Sequence, residues 1–179
     1  MNKNIRSLIY SAIGAALIAA LSQITLSIGP VPFTLQTLAI GLIASLYKPK
    51  EAILSTLLYL TLGAIGLPVF AGFSGGFASL FSPTAGFLWG FVAFAGITSY
   101  LTTLHSHPLQ VFLANLLGTA ICFILGLIVF RYVSQSSWQD SIAWTILPFI
   151  LPDLGKISIV TLAHRLLQTP LQKEAYFSK

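Results

Sequence analysis

Between Glu51 and Arg131 the chain carries no Asp, Glu, Lys or Arg, and the same holds between Arg6 and Lys48. A soluble domain places a charge at about one position in four, because its outer face must meet water. A transmembrane helix needs about 20 apolar residues in a row, so the longer gap alone has room for several. With 56% hydrophobic and 7% charged residues, a water-soluble fold of this size would have nowhere to hide its apolar surface. The sequence therefore reads as a polytopic membrane protein. Inside a bilayer only helices and closed barrels satisfy every backbone group. The apolar runs are continuous rather than alternating with period two, which selects helices. The fold class expected is all-α.

Breakers and charges divide the chain into six helices at about 5–26, 33–47, 52–66, 85–104, 109–132 and 152–167, in one domain covering 1–179. Lys3 and Arg6 followed by an apolar run resemble a signal peptide. The apolar character continues past any h-region, however, so the segment is read as the first membrane helix. The prolines of Gly29-Pro30-Val31-Pro32-Phe33 remove backbone donors and force their predecessors into extended conformations, which ends that helix. With six spans, Lys3, Arg6, Lys48, Lys50, Arg165, Lys173 and Lys179 fall on one side and Arg131 on the other. The positive-inside rule then puts both termini in the cytoplasm. Three unusual features share the external side: the Pro-rich loop, the Gly- and Phe-rich stretch 66–86, and the start of helix 6. The basic residues sit singly at segment ends, with no aromatic-interleaved cluster, so nucleic acid is not an expected partner; membrane lipid is.

Leu151-Pro152-Asp153-Leu154-Gly155-Lys156 puts a carboxylate and an ammonium three residues apart on one helix face. At membrane depth each unpaired charge costs about 2.5–3.5 kcal/mol on insertion scales, so such residues are usually paired, cavity-facing and functional. One reading is a pair that holds a polar solute; the other is a neutralised pair that merely fixes a helix end. The 66–86 stretch is read as a lid or pocket loop, since irregular backbone at membrane depth is tolerated where it lines a cavity; an interfacial loop is its alternative. Thr34 and Gln36 are polar groups at the mouth of helix 2. Asn115 is a candidate ligand contact or an interhelical bond. Ala12, Ala16 and Ala20, with Ala15 and Ala19, make a small-residue stripe on which another helix can pack, from this chain or from a partner.

Catalytic signatures are missing. Gly155-Lys156 lacks the upstream glycine and following Ser/Thr of a phosphate-binding loop, and neither a Gly-x-Ser-x-Gly elbow nor a His-Glu-x-x-His helix occurs. His105 and His107 lack a third ligand nearby, so a cytoplasmic turn is preferred over a metal site. Cys122 is alone in an apolar run. An enzyme, a resident cofactor and a metal are not expected, and neither is a self-sufficient pump.

Four motifs in order, Gly29-Pro30-Val31-Pro32-Phe33-Thr34-Leu35-Gln36-Thr37, Gly66-Leu67-Pro68-Val69-Phe70-Ala71-Gly72-Phe73-Ser74-Gly75-Gly76, Ser82-Pro83-Thr84-Ala85-Gly86-Phe87 and Pro152-Asp153-Leu154-Gly155-Lys156, resemble the BioY family, the biotin-binding S components of energy-coupling-factor (ECF) transporters. The resemblance implies six helices, an external pocket for one biotin and no catalysis by this chain. It further implies docking of the Ala12/Ala16/Ala20 face on a transmembrane coupling subunit driven by two ATPases, in a cell membrane that is a bacterial inner membrane. Asp153 and Lys156 match the family's acidic and basic ligand pair, and Gln36 and Ser74 match loop positions at the site. Phe33, Phe73 and Phe87 are expected to pack on the ligand's apolar parts, with Phe70, and Thr34 and Asn115 to supply polar contacts. Some members carry Asn where Ser74 stands and Arg where Leu88 stands. An S component for another small vitamin or a biotin precursor, and a membrane scaffold without a ligand, are the alternatives.

Overall fold

A computed structural model describes residues 3–27, 29–174 and 176. Lys179, assigned above to the cytoplasmic side, lies outside the described residues, as does the side chain of Lys3. Helices dominate: α1 (Lys3–Ser22), α2 (Gln36–Leu46), α3 (Pro49–Ala64), α4 (Ala85–Leu101), α5 (Pro108–Ser134), α6 (Trp138–Thr145) and α7 (Ile150–Leu171). α1, α5 and the run from α6 through α7 are long and apolar enough to cross a membrane. α2, with 11 residues, reaches only about 16 Å at 1.5 Å per residue, roughly half the hydrocarbon thickness.

Strands β1 (Thr25–Leu26) and β2 (Phe33–Thr34) add a short hairpin to the all-α fold. They pair antiparallel, Thr25 opposite Thr34 and Leu26 opposite Phe33, and Leu35 N–H extends the ladder to the Ile24 carbonyl at 3.2 Å. The pairing is short because Pro30 and Pro32 have no N–H to donate. This hairpin is also why α1 stops at Ser22 rather than near Leu26, and why α2 starts at Gln36 rather than Phe33. α4 stops at Leu101 because Thr102, which donates to the Thr98 and Ala44 carbonyls, is already extended. α7 begins two residues before Pro152: a missing donor is harmless anywhere in the first helical turn, not only at its first position. With no breaker before Pro170, α7 also runs past Leu167.

The turn after α4 sends α5 back along it, and glycines make the approach close. A Cβ on Gly90 would lie 2.8 Å from Cys122 Sγ and 2.9 Å from its Cα. α5 starts on a cap, where His107 Nδ1 accepts from Leu109 N–H at 3.3 Å. α1 packs on α3 through Ala15, Ile18 and Ser22, which are buried, whereas Ala12, Ala16 and Ala20 face outward. The core joins Ile18, Ala39, Ile40, Ala52, Tyr59, Phe91 and Phe94. At the end opposite the hairpin, Tyr176 folds back under the bundle. Its ring stacks on Tyr10 at 4.1 Å, and its hydroxyl donates to Glu51 Oε2 at 3.0 Å and accepts from Lys48 N–H at 3.2 Å. Burial pushes that phenol well above its usual range, so it stays a donor. Ser7 donates to the other Glu51 oxygen at 2.7 Å.

Candidate functional site

Gln36 opens α2 with its side chain turned inward, accepting from Thr34 Oγ1 at 2.8 Å through Oε1 and donating from Nε2 to the Tyr59 hydroxyl at 2.5 Å. Thr34 Oγ1 also accepts the Gln36 backbone N–H at 3.3 Å. One turn of α7 brings Asp153 and Lys156 to the same place. They are 4% and 6% exposed, and Lys156 Nζ lies 2.5 Å from Asp153 Oδ1. The ammonium also donates to the Thr34 carbonyl at 2.8 Å and to Thr37 Oγ1 at 3.0 Å. Thr37 in turn donates to Asp153 Oδ1 at 3.3 Å. The Phe33 ring centroid is 4.1 Å from Nζ, a cation–π contact of about 2 kcal/mol when desolvated. The ammonium is thus fully bonded inside the fold and the carboxylate is paired through Oδ1, the condition under which buried charges are tolerated.

These groups form the floor of a cavity of about 310 Å³, within the range of small-molecule sites. Phe70, Phe87, Phe91, Phe123 and Phe149 supply its apolar wall, and Ser74, Ser79, Ser82 and Thr84 its rim. The Gly- and Phe-rich stretch closes one side through two short 3-10 turns, Ala71–Phe73 and Phe77–Phe81. Phe70 seats because Gly63 leaves room: a Cβ there would strike the Phe70 ring. Gly66, where the stretch begins, and Gly76, between its two turns, both adopt φ +103°, a conformation that a side chain disfavours.

Of the residues singled out from sequence, Asp153, Lys156, Gln36, Thr34, Ser74 and Phe87 line this one cavity. Phe33 sits behind it, against Lys156 and stacked with Phe149 at 6.5 Å. Phe73 and Asn115 fall elsewhere. Phe73 adopts φ +57°, which swings its ring outward and leaves Phe70 as the aromatic that faces in. Asn115 points between α5 and α2, donating to Ser45 Oγ and the Val111 carbonyl, both at 2.8 Å; it ties helices together. Besides the wall residues Phe91 and Phe123, three polar contributors escaped the sequence reading: Thr37, which bridges the ion pair; Tyr59, which anchors Gln36; and Gln23. The Gln23 amide donates to Ser22 Oγ at 2.8 Å and to the Phe70 carbonyl at 3.3 Å, and accepts from Phe73 N–H at 2.9 Å, clamping the loop to the end of α1. Thr37 lies inside the quoted motif, where its spacing from Gln36 was the available signal. Nothing local distinguished Gln23 from any polar residue at a helix end.

A buried ion pair beneath an aromatic-walled hollow, within helices whose other faces are apolar and exposed, fits a membrane-embedded binding protein. Comparison with known proteins agrees. The BioY family profile matches residues 1–173. Over 162 residues the chain is 38% identical to the biotin transporter BioY2 of Lactococcus lactis subsp. cremoris, covering 90% of this chain and 89% of that one. It is 34% identical over 157 residues to the biotin transporter BioY of Thermotoga maritima, covering 88% and 92%. Its fold superimposes with a TM-score of 0.88, at 28% identity and 99% and 97% coverage, on the crystal structure of the S-component for biotin from an ECF-type ABC transporter. The chain belongs to the BioY family. It is a multi-pass membrane protein, and its relatives are named as transporters, not enzymes.

Proposed function

We propose that this chain is the substrate-capturing subunit of an ECF transporter, that its cavity takes biotin from the external side, and that Asp153 and Lys156 hold it. The observation that carries the reading is the buried pair on the floor of an aromatic-walled hollow. Biotin's ureido ring offers two N–H donors and one carbonyl, and its tail ends in a carboxylate. An ionised Asp only accepts and a Lys only donates, so Asp153 suits the N–H edge and Lys156 the carbonyl or the tail. Phe70, Phe87 and Phe123 suit the thioether ring and aliphatic chain. Ser74 and Gln36 complete the polar contacts, with Thr34 beside them.

Orientation follows from the charge asymmetry: six membrane crossings, both termini in the cytoplasm and the cavity facing out, in a plasma membrane, here a bacterial inner membrane. The short α2 reaches the external side through the hairpin before it. Ala12, Ala16 and Ala20 stand outward on α1, a flat face on which a transmembrane coupling subunit with two ATPases would dock. Equilibrium titration of the purified subunit with labelled biotin tests the assignment. Saturable binding displaced by unlabelled biotin, but not by unrelated vitamins, is expected. Binding that another vitamin displaces and biotin does not would reassign the substrate, and no saturable binding at all would leave the pair a structural device.

A further inference from the structure

The segment that covers the cavity has two unlike faces. Towards the hollow it turns Phe70, Ser74, Ser79 and Ser82. Away from it stand Phe73, Phe77 and Phe81, which are 70%, 65% and 64% exposed. The Phe77 and Phe81 rings lie 5.3 Å apart and form one apolar ledge. Trp89 of α4 adjoins it, donating its indole N–H to the Leu80 carbonyl at 3.2 Å while its ring remains exposed. An indole satisfied at its polar end and bare on its apolar body suits the zone where hydrocarbon meets headgroups. The ledge therefore continues the apolar outer surface of α4.

Phe73 supplies an independent observation. Its left-handed backbone is unfavourable for a residue with a side chain, yet Gln23 Oε1 holds its N–H there at 2.9 Å. The effect is to aim the ring away from the cavity. In water the fold would carry a strained residue and three solvated phenyl rings together. No Asp, Glu, Lys or Arg between Glu51 and Arg131 is available to keep such a patch soluble.

We propose that Phe73, Phe77 and Phe81 seat the outer edge of this segment in the lipid leaflet on the cavity side, so that the bilayer is its partner. The ledge is uncharged, so the interfacial region of a neutral phospholipid is sufficient. Lifting this segment off the cavity draws those rings through the interface, so its opening depends on lipid packing. This inference is independent of what the cavity binds.

Nitroxide labels read it directly. In a Cys122→Ala background, Phe77→Cys and Phe81→Cys are labelled and the protein is placed in phosphatidylcholine vesicles, with Leu117→Cys on the exposed apolar face of α5 and Lys173→Cys beyond α7 as references. The ratio of collision with oxygen to collision with a water-soluble nickel chelate is expected to be several-fold higher at 77 and 81 than at 173, and to lie between the values at 173 and 117. A ratio equal to that at 173 would mean a solvated loop and overturn the proposal. Weak collision with both reagents would mean cover by protein and overturn it equally. Both labelled sites are exposed, so folding is preserved, and the readout needs no ligand: its failure is distinct from a failure to bind biotin.

Discussion

Lys156→Met removes the ammonium while keeping most of the length and apolar volume of the side chain. The ammonium that disappears lies 2.5 Å from Asp153 Oδ1 and donates at 2.8 and 3.0 Å to Thr34 and Thr37. Its loss leaves Asp153 with the Thr37 hydroxyl at 3.3 Å. Stranding one member of a buried pair costs about 3–5 kcal/mol. Replacing both, as Asp153→Leu with Lys156→Met, substitutes apolar groups, a change expected to be neutral or stabilising by about 1–4 kcal/mol. Stability should therefore fall in the single variant and return in the double. Biotin binding should not return. Two charge-assisted hydrogen bonds at about 1.5–3 kcal/mol each amount to roughly 3–6 kcal/mol, or about two to four orders of magnitude in Kd. Thermal unfolding with and without biotin, beside calorimetric titration, separates the two effects. The expected signature is a double variant with near wild-type Tm that biotin no longer raises. Wild-type affinity in that variant would refute the role given to the pair; a double variant as unstable as the single would refute the desolvation argument.

Three further outcomes follow from packing and position. Gln23→Ala frees the loop from α1 by deleting bonds to Phe70 and Phe73; at about 1 kcal/mol each, release of bound biotin should quicken about 10- to 30-fold in a chase experiment. Gly90→Val forces a side chain against Cys122 and should cost about 1–3 kcal/mol in thermal unfolding. Adding Cys122→Ala should not rescue it, since two of the atoms in the way are Cys122 Cα and its carbonyl oxygen. Ala16→Trp, on the exposed side of α1, should leave biotin binding by the isolated subunit unchanged while abolishing co-purification with the coupling subunit; unaltered uptake in cells would move the docking face elsewhere.

The legible parts of this molecule were those where a residue type conflicts with its surroundings. Asp153 and Lys156 stood out because charges are costly among apolar residues, and Gly29-Pro30-Val31-Pro32 because it cannot continue a helix. Segment boundaries and the membrane class followed from the same conflicts. Side-chain direction within the Gly- and Phe-rich stretch did not, because four phenylalanines spaced among glycines have no fixed period. Only the positive φ at Phe73 and the room over Gly63 decide that Phe70 turns inward. Asn115 was ambiguous for a related reason: a buried amide signals a hydrogen bond but not its partner, and Ser45 lies far away in sequence. The hairpin was read only as a break, since strands of two residues carry no alternation to detect.

The ammonium of Lys156 has three N–H groups, and within the fold each already meets an acceptor: Asp153, Thr34 and Thr37. At the ammonium a visitor would therefore arrive as a replacement, evicting an oxygen already bound there, whereas Asp153 keeps Oδ2 for a donor. A compound able to accept but not to donate would displace one of those oxygens and give Asp153 nothing in exchange. One carrying both kinds of group closes the circuit again. Half-matched solutes would be turned away by the bonds they break, without any narrowing of the opening.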